Sequence, residues 1–235
     1  MRGKLLFPLL LVSACSNAQG DSRMAKAAGG PLILELFTSQ GCSSCPPADR
    51  LLGTLAKEPD LAPLSFHVDY WNGLGWADPY SSEAWTERQH MYARALNDTR
   101  VYTPELVVGG SVGMVGSSTG QIRMAIAKAP RPALLAATAT WKPDAVEITT
   151  TAPTDAEVLV AVYETERTVK VTRGENSGET LSNSRIVRRL VKVASPGKQG
   201  TIKVPLDPAW KSVGAVAFAQ RTDKKIVASA LLPRS

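Results

Sequence analysis

Leu32-Ile33-Leu34-Glu35-Leu36-Phe37-Thr38-Ser39-Gln40-Gly41-Cys42-Ser43-Ser44-Cys45-Pro46-Pro47-Ala48-Asp49-Arg50-Leu51-Leu52-Gly53-Thr54-Leu55 is the stretch around which this chain is organised. Its first seven residues alternate with apolar side chains on both faces, which predicts a buried strand. Thr38 to Gly41 end it. From Ala48 onward, Leu51, Leu52 and Leu55 recur at three and four residues, the apolar stripe of a helix. Pro46 and Pro47 are tolerated only in the first turn, where backbone N–H groups have no intrahelical partner to lose. The Cys-x-x-Cys pair is thus expected at a strand-to-helix corner. The positive end of the helix there favours a Cys42 thiolate, the nucleophile of disulfide exchange.

The ends of the chain set the redox setting. Arg2 and Lys4 precede an apolar run from Leu5 to Val12, too short to span a bilayer and suited to an export signal. Val12-Ser13-Ala14-Cys15 reads as a lipobox, with residues 1–14 as signal and Cys15 acylated. Ordinary cleavage after Ala18 is the alternative. Either way Cys42 and Cys45 are the cysteines left to the mature chain, a closed disulfide pair in an oxidising compartment. Metal fingers fail for want of a second ligand pair, so no metal is expected, and no organic cofactor is needed. Without Arg2 and Lys4 the chain has 25 basic and 21 acidic side chains, a mild +4. No basic run with interleaved aromatics argues for nucleic acid. Residues 15–30 read as a flexible tether.

Residues 31–130 alternate helix and strand patterns. Leu64 to Trp71 reads as a strand carrying His67 and Asp69 on one face. A Gly/Trp-rich insertion follows, then a helical stripe from Ala84 to Leu96. Val101 to Val108 forms a strand entered through Thr103-Pro104, and Gly109-Gly110 turns it into Ser111 to Val115. A last helix is expected behind a Ser118/Gln121 capping box. Residues 131–235 read as short strands separated by turns at Lys142-Pro143-Asp144, Arg173 to Gly178 and Ser195-Pro196-Gly197, which suggests an antiparallel sandwich. The fold expected is therefore an α/β thioredoxin-like domain followed by an all-β sandwich-like domain.

The block Leu34 to Asp49, His67-Val68-Asp69-Tyr70-Trp71 with Leu74-Gly75-Trp76, Val101-Tyr102-Thr103-Pro104, and Arg173 to Leu181 together resemble the secreted bacterial thioredoxin-like family known as domain of unknown function 1223. The resemblance implies a cis proline at Thr103-Pro104 across from the cysteines, with the Thr103 backbone pairing an extended substrate. It also leads us to expect a histidine just after Thr180-Leu181, where this chain has Ser182 and Asn183.

The site expected is Cys42 as attacking thiol and Cys45 as resolving thiol, with Thr103 and Pro104 facing them. Glu35, one strand turn before the corner, is a candidate proton relay or a residue facing a polar partner or solvent at the sheet end. His67 and Asp69 are candidate helpers or a self-satisfied pair. Trp71, Trp76, Tyr80 and Trp85 either wall a groove or form the insertion's own small core. The function expected is thiol–disulfide exchange with protein thiols or disulfides of the cell envelope, by a protein lipid-anchored on the periplasmic face or released into the periplasm. The alternatives are Cu or Zn handling by the same cysteines and a non-enzymatic envelope binding module.

Overall fold

The computed structural model describes residues 29–234. The expected signal, Cys15 and nearly all of the tether lie outside them. The corner is where the sequence puts it: β1 (Leu32–Thr38) runs into α1 (Pro46–Leu55). β2 (Leu61–His67) returns parallel to β1, starting three residues earlier than its pattern suggested and ending at His67. α2 (Glu83–Ala95) starts where the Ser82 side chain accepts a hydrogen bond from the Ala84 N–H. β3 (Glu105–Val108) turns into β4 (Val112–Val115) through Gly109 and Gly110, at φ 57° and 68°, the left-handed geometry such a turn requires. α3 (Thr119–Lys128) has no side-chain cap at Ser118, so the expected capping box does not form.

The remaining strands are β5 (Ala133–Leu134), β6 (Ala137–Trp141), β7 (Ala145–Thr151), β8 (Glu157–Lys170), β9 (Thr180–Ala194), β10 (Gln199–Pro205), β11 (Val213–Gln220) and β12 (Ile226–Leu232). They do not form a sandwich behind a thioredoxin-like domain. One mixed sheet of nine strands runs β4-β3-β1-β2-β9-β8-β11-β12-β5, and β10-β7-β6 form a second, small sheet. Strand makes up 43% of the structure and helix 17%, so the expected α/β thioredoxin-like class is corrected to a mostly β fold built on one curled sheet.

The joint is β2 against β9, parallel, at Ser65 and Ile186. The physical reason is burial on both faces. In β8, Val158, Val160 and Val162 face the small sheet, while Leu159, Ala161 and Tyr163 turn the other way. That second set joins Ile33, Phe37, Leu64 and Phe66 of the first half, and Trp85 and Tyr92 of α2, in one continuous core. Leu32, Leu34 and Leu36 point to the opposite face, against α1 and α3. A strand apolar on both sides needs cover on both sides, which a two-sheet sandwich does not supply.

Candidate functional site

Cys45 is the N-cap of α1 and Pro46 and Pro47 open the helix. Cys42 lies before it, in a turn closed by the Cys45 N–H donating to the Cys42 carbonyl at 3.2 Å. The two sulfurs are joined in a disulfide, and both residues have no solvent exposure. The helix start is poorer in free donors than the sequence implied. The prolines have no N–H, and those of Ala48 and Asp49 donate to the Cys45 carbonyl at 2.9 and 3.1 Å. What is left for a Cys42 thiolate is the helix dipole and the Ser44 hydroxyl, 3.3 Å from Cys42 Sγ.

That hydroxyl also lies 3.5 Å from the Thr103 carbonyl, so Ser44 links the cysteines to the Thr103-Pro104 segment. The Thr103–Pro104 peptide is cis. Trp71 Nε1 donates to Thr103 Oγ1 at 2.8 Å, and Gln89 Nε2 donates to the Tyr102 carbonyl at 2.7 Å, so the insertion and α2 together fix this segment. Gly116 is the spacer between the proline and the helix. A Cβ there would stand 2.7 Å from Leu36, 3.2 Å from Pro104 and 3.3 Å from Ala48.

Behind the cysteines lies a buried polar cluster. The Gln40 N–H donates to Asp78 Oδ2 at 2.8 Å, Gln40 Nε2 donates to Asn183 Oδ1 at 2.8 Å, and Trp76 Nε1 donates to Gln40 Oε1 at 3.2 Å. His67 Nδ1 pairs with Asp78 Oδ2 at 2.7 Å, not with Asp69. Burial works against a charged imidazole, but the Asp78 carboxylate outweighs it and raises His67 above its ordinary value. Burial also works against the Asp78 carboxylate, and there His67 prevails and holds its carboxyl low. Asp69 instead accepts from Thr86 Oγ1 at 2.6 Å and anchors α2.

Asp49 sits on the inward face of α1, one turn after Cys45. Its Oδ2 accepts from Thr38 Oγ1 at 3.2 Å and its Oδ1 has no partner. Burial, partly offset by His67, pushes its carboxyl up to about 7 from 3.8. Between those values the folded state keeps a proton that the unfolded chain releases. Its stabilisation is therefore fully present below the unfolded value and lost as pH rises through the folded one. From about pH 4 to about pH 8, the unfolding free energy should fall by on the order of 4 kcal/mol relative to Asp49→Asn. Urea unfolding of both proteins across that range checks this, and a constant difference contradicts it.

The structure thus brings Cys42, Cys45, Thr103 and Pro104 together and ties His67 to them through Asp78 and Gln40. Glu35 is elsewhere. It points to the α2 face of β1, where Arg88 Nε and Nη2 donate to its carboxylate at 2.5 and 3.0 Å and the Tyr92 hydroxyl donates as well. Trp71 and Trp76 flank the site. Tyr80 packs edge-on against His67 at 5.5 Å, and Trp85 against Phe66 at 5.2 Å in the core. Among the described residues, no group of three or more His, Cys, Asp or Glu side chains is placed to hold a metal ion. Nor is any helix there long and apolar enough to cross a membrane.

Sequence reasoning passed over Gln40, Ser44, Asp49, Asp78, Glu175, Asn176 and Asn183. Two had a signal. Asp49 is a carboxylate on the same helix face as Ala48, Leu52 and Leu55, and Asn183 stands where the family resemblance led us to expect a histidine.

A profile of the family described as protein of unknown function (DUF1223) matches residues 33–220. The chain belongs to that family. A search of curated proteins finds no match to this DUF1223 chain. It is similar to an Agrobacterium tumefaciens protein of known X-ray crystal structure, with 31% identity and a TM-score of 0.67 over 87% of this chain and 94% of that one. Both the corner and the Arg173 to Leu181 block of this DUF1223 member fall inside the matched span.

Proposed function

We propose that this protein carries out thiol–disulfide exchange with protein partners in the cell envelope, through Cys42 and Cys45. The observation that carries the reading is the Cys42–Cys45 disulfide at the start of α1, with the Ser44 hydroxyl between Cys42 Sγ and the Thr103 carbonyl. Export rests on the Leu5 to Val12 run. Membrane attachment rests on acylation of Cys15, and cleavage after Ala18 would instead release the chain.

In the reducing direction the Cys42 thiolate attacks one sulfur of a partner disulfide. That S–S bond breaks, and the partner's other sulfur leaves as a thiolate and takes up a proton. Cys45 then loses its proton and attacks Cys42 Sγ, and the partner's first sulfur leaves. The partner gains two electrons and the Cys42–Cys45 disulfide re-forms. The oxidising direction is the reverse. The Ser44 hydroxyl can turn its one hydrogen from the Thr103 carbonyl to a Cys42 thiolate, which lowers the energy of the attacking species.

Thiol content measured in buffers of graded dithiol and cyclic-disulfide ratio tests this. In the folded protein Cys42 and Cys45 should pass reversibly from disulfide to two free thiols, in a two-electron transition of about 30 mV per tenfold change in ratio. Thiols that appear only when the chain unfolds would contradict it.

A further inference from the structure

The loop of residues 171–179 joins β8 to β9 and lies in the second half of the sequence, yet its tip rests on the main chain of residues 40–43. Residues 172–179 are exposed except one, and the exception is polar: Asn176, 6% exposed. Its Nδ2 donates to two carbonyls of the cysteine segment, Gln40 at 2.9 Å and Cys42 at 3.0 Å. Next to it, Glu175 Oε2 accepts the Ser43 N–H at 3.1 Å. Hydrogen bonds from Ser43 hold the Glu175 carboxyl below its ordinary value. Gly174, at φ 73°, lies against the insertion, where a Cβ would stand 3.1 Å from Trp76 Cβ.

The loop holds its own shape. Val171 N–H donates to the Glu179 carbonyl and Gly178 N–H to the Val171 carbonyl, both at 2.9 Å, and Ser177 N–H donates to the Gly174 carbonyl at 3.1 Å. It is the tip of a long two-stranded ribbon. Its root is irregular: the β8–β9 register shifts between Val162, which pairs with Arg189, and Tyr163, which pairs with Val187, and Arg185, further toward the tip, is in the left-handed region at φ 55°.

We infer that residues 173–178 form a clasp that shields the Cys42–Cys45 disulfide, and that exchange proceeds only from a state in which Asn176 and Glu175 have left the cysteine segment. The inference rests on the exchange activity proposed above and adds its gate. Both cysteines have no exposed surface in the closed state, so an attacking thiolate has no line of approach to either sulfur. Opening exposes the Gln40 and Cys42 carbonyls and the Ser43 N–H together. These are main-chain groups that an incoming polypeptide can pair with in the clasp's place, so a protein partner can displace it where a small thiol must wait for it to open.

The test is the rate at which dithiothreitol reduces the disulfide in the folded protein, measured at high salt to screen the Glu175 charge. Each turnover moves two electrons: the dithiol becomes a cyclic disulfide, and Cys42 and Cys45 become thiols with two protons. Asn176→Ala leaves the Gln40 carbonyl without its donor in the closed state and the Cys42 carbonyl with only the Cys45 N–H. It should raise the rate by about tenfold, the shift in an opening equilibrium that such a loss produces. Glu175→Gln, an exposed change that leaves the core untouched, should raise it by a smaller factor and guards against a folding defect in the first variant. Equal rates in all three proteins overturn the clasp and leave the exchange reading standing. No reduction in any of them, while folded, overturns both.

Discussion

Glu35→Ala should lower the unfolding free energy by about 3–5 kcal/mol, the loss expected when a buried charge is left without its partner. The stranded group is Arg88, which is 3% exposed and gives Glu35 two of its hydrogen bonds. Its remaining contacts are the Gln220 amide oxygen and the Tyr92 hydroxyl, both 3.3 Å from Nη2, and the rings of Phe66, Tyr92 and Phe218 at 5.3 to 5.7 Å. None of these carries a compensating negative charge. Gln220 comes from β11, so the pair ties the first half of the chain to the second across the shared core. Replacing both charges by well-packed apolar residues, as in Glu35→Leu with Arg88→Met, should cost far less than removing Glu35 alone. Equilibrium urea unfolding of the three proteins measures this. A loss under about 1 kcal/mol for Glu35→Ala, the range of a surface pair, contradicts the assignment. Because Glu35 lies on the opposite side of β1 from α1, exchange at the cysteines should persist wherever the variant is folded.

The corner was legible because it is local. Strand alternation, two prolines fit only for a first turn, and a stripe at helical spacing all lie within Leu32 to Leu55. The Gly109-Gly110 hairpin was legible for the same reason, since a two-residue turn with positive φ is written in its own residues. The class of fold was misjudged because it depends on which strands become neighbours. Val158 to Tyr163 is apolar on both faces, and that doubly buried pattern fits the centre of a large sheet better than a sandwich strand with one wet face. Short turn-bounded strands suggest a sandwich, and the two-faced burial of β8 overrides that signal.

The site divides along the same line. Cys42, Cys45 and the Thr103-Pro104 segment follow from a motif and a resemblance. The clasp and the polar cluster do not, because Gln40 meets Asn183 and Asn176 across 143 and 136 residues of chain. His67 and Asp69 fit an i, i+2 pair only while the strand continues. It ends at His67, and the insertion brings Asp78 to the imidazole in place of Asp69.

The exchange chemistry predicts its own arrested intermediate. With Cys45→Ser, Cys42 can still attack a partner disulfide and form the mixed disulfide, but no resolving thiol is left beside it among the described residues to displace the partner. The serine hydroxyl cannot take over, because at ordinary pH it is not ionised. With Cys42→Ser, the remaining thiol belongs to Cys45, which is as buried as Cys42 and does not have the Ser44 hydroxyl that lies beside Cys42 Sγ. The measurement that bears most directly on the central claim is therefore the intact mass of Cys45→Ser after mixing with a disulfide-bonded protein, resolved under non-reducing conditions. The account predicts a one-to-one covalent adduct through Cys42, released by dithiothreitol and absent with Cys42→Ser. A folded Cys45→Ser protein that yields no adduct, or one that yields the same adduct without Cys42, would contradict it.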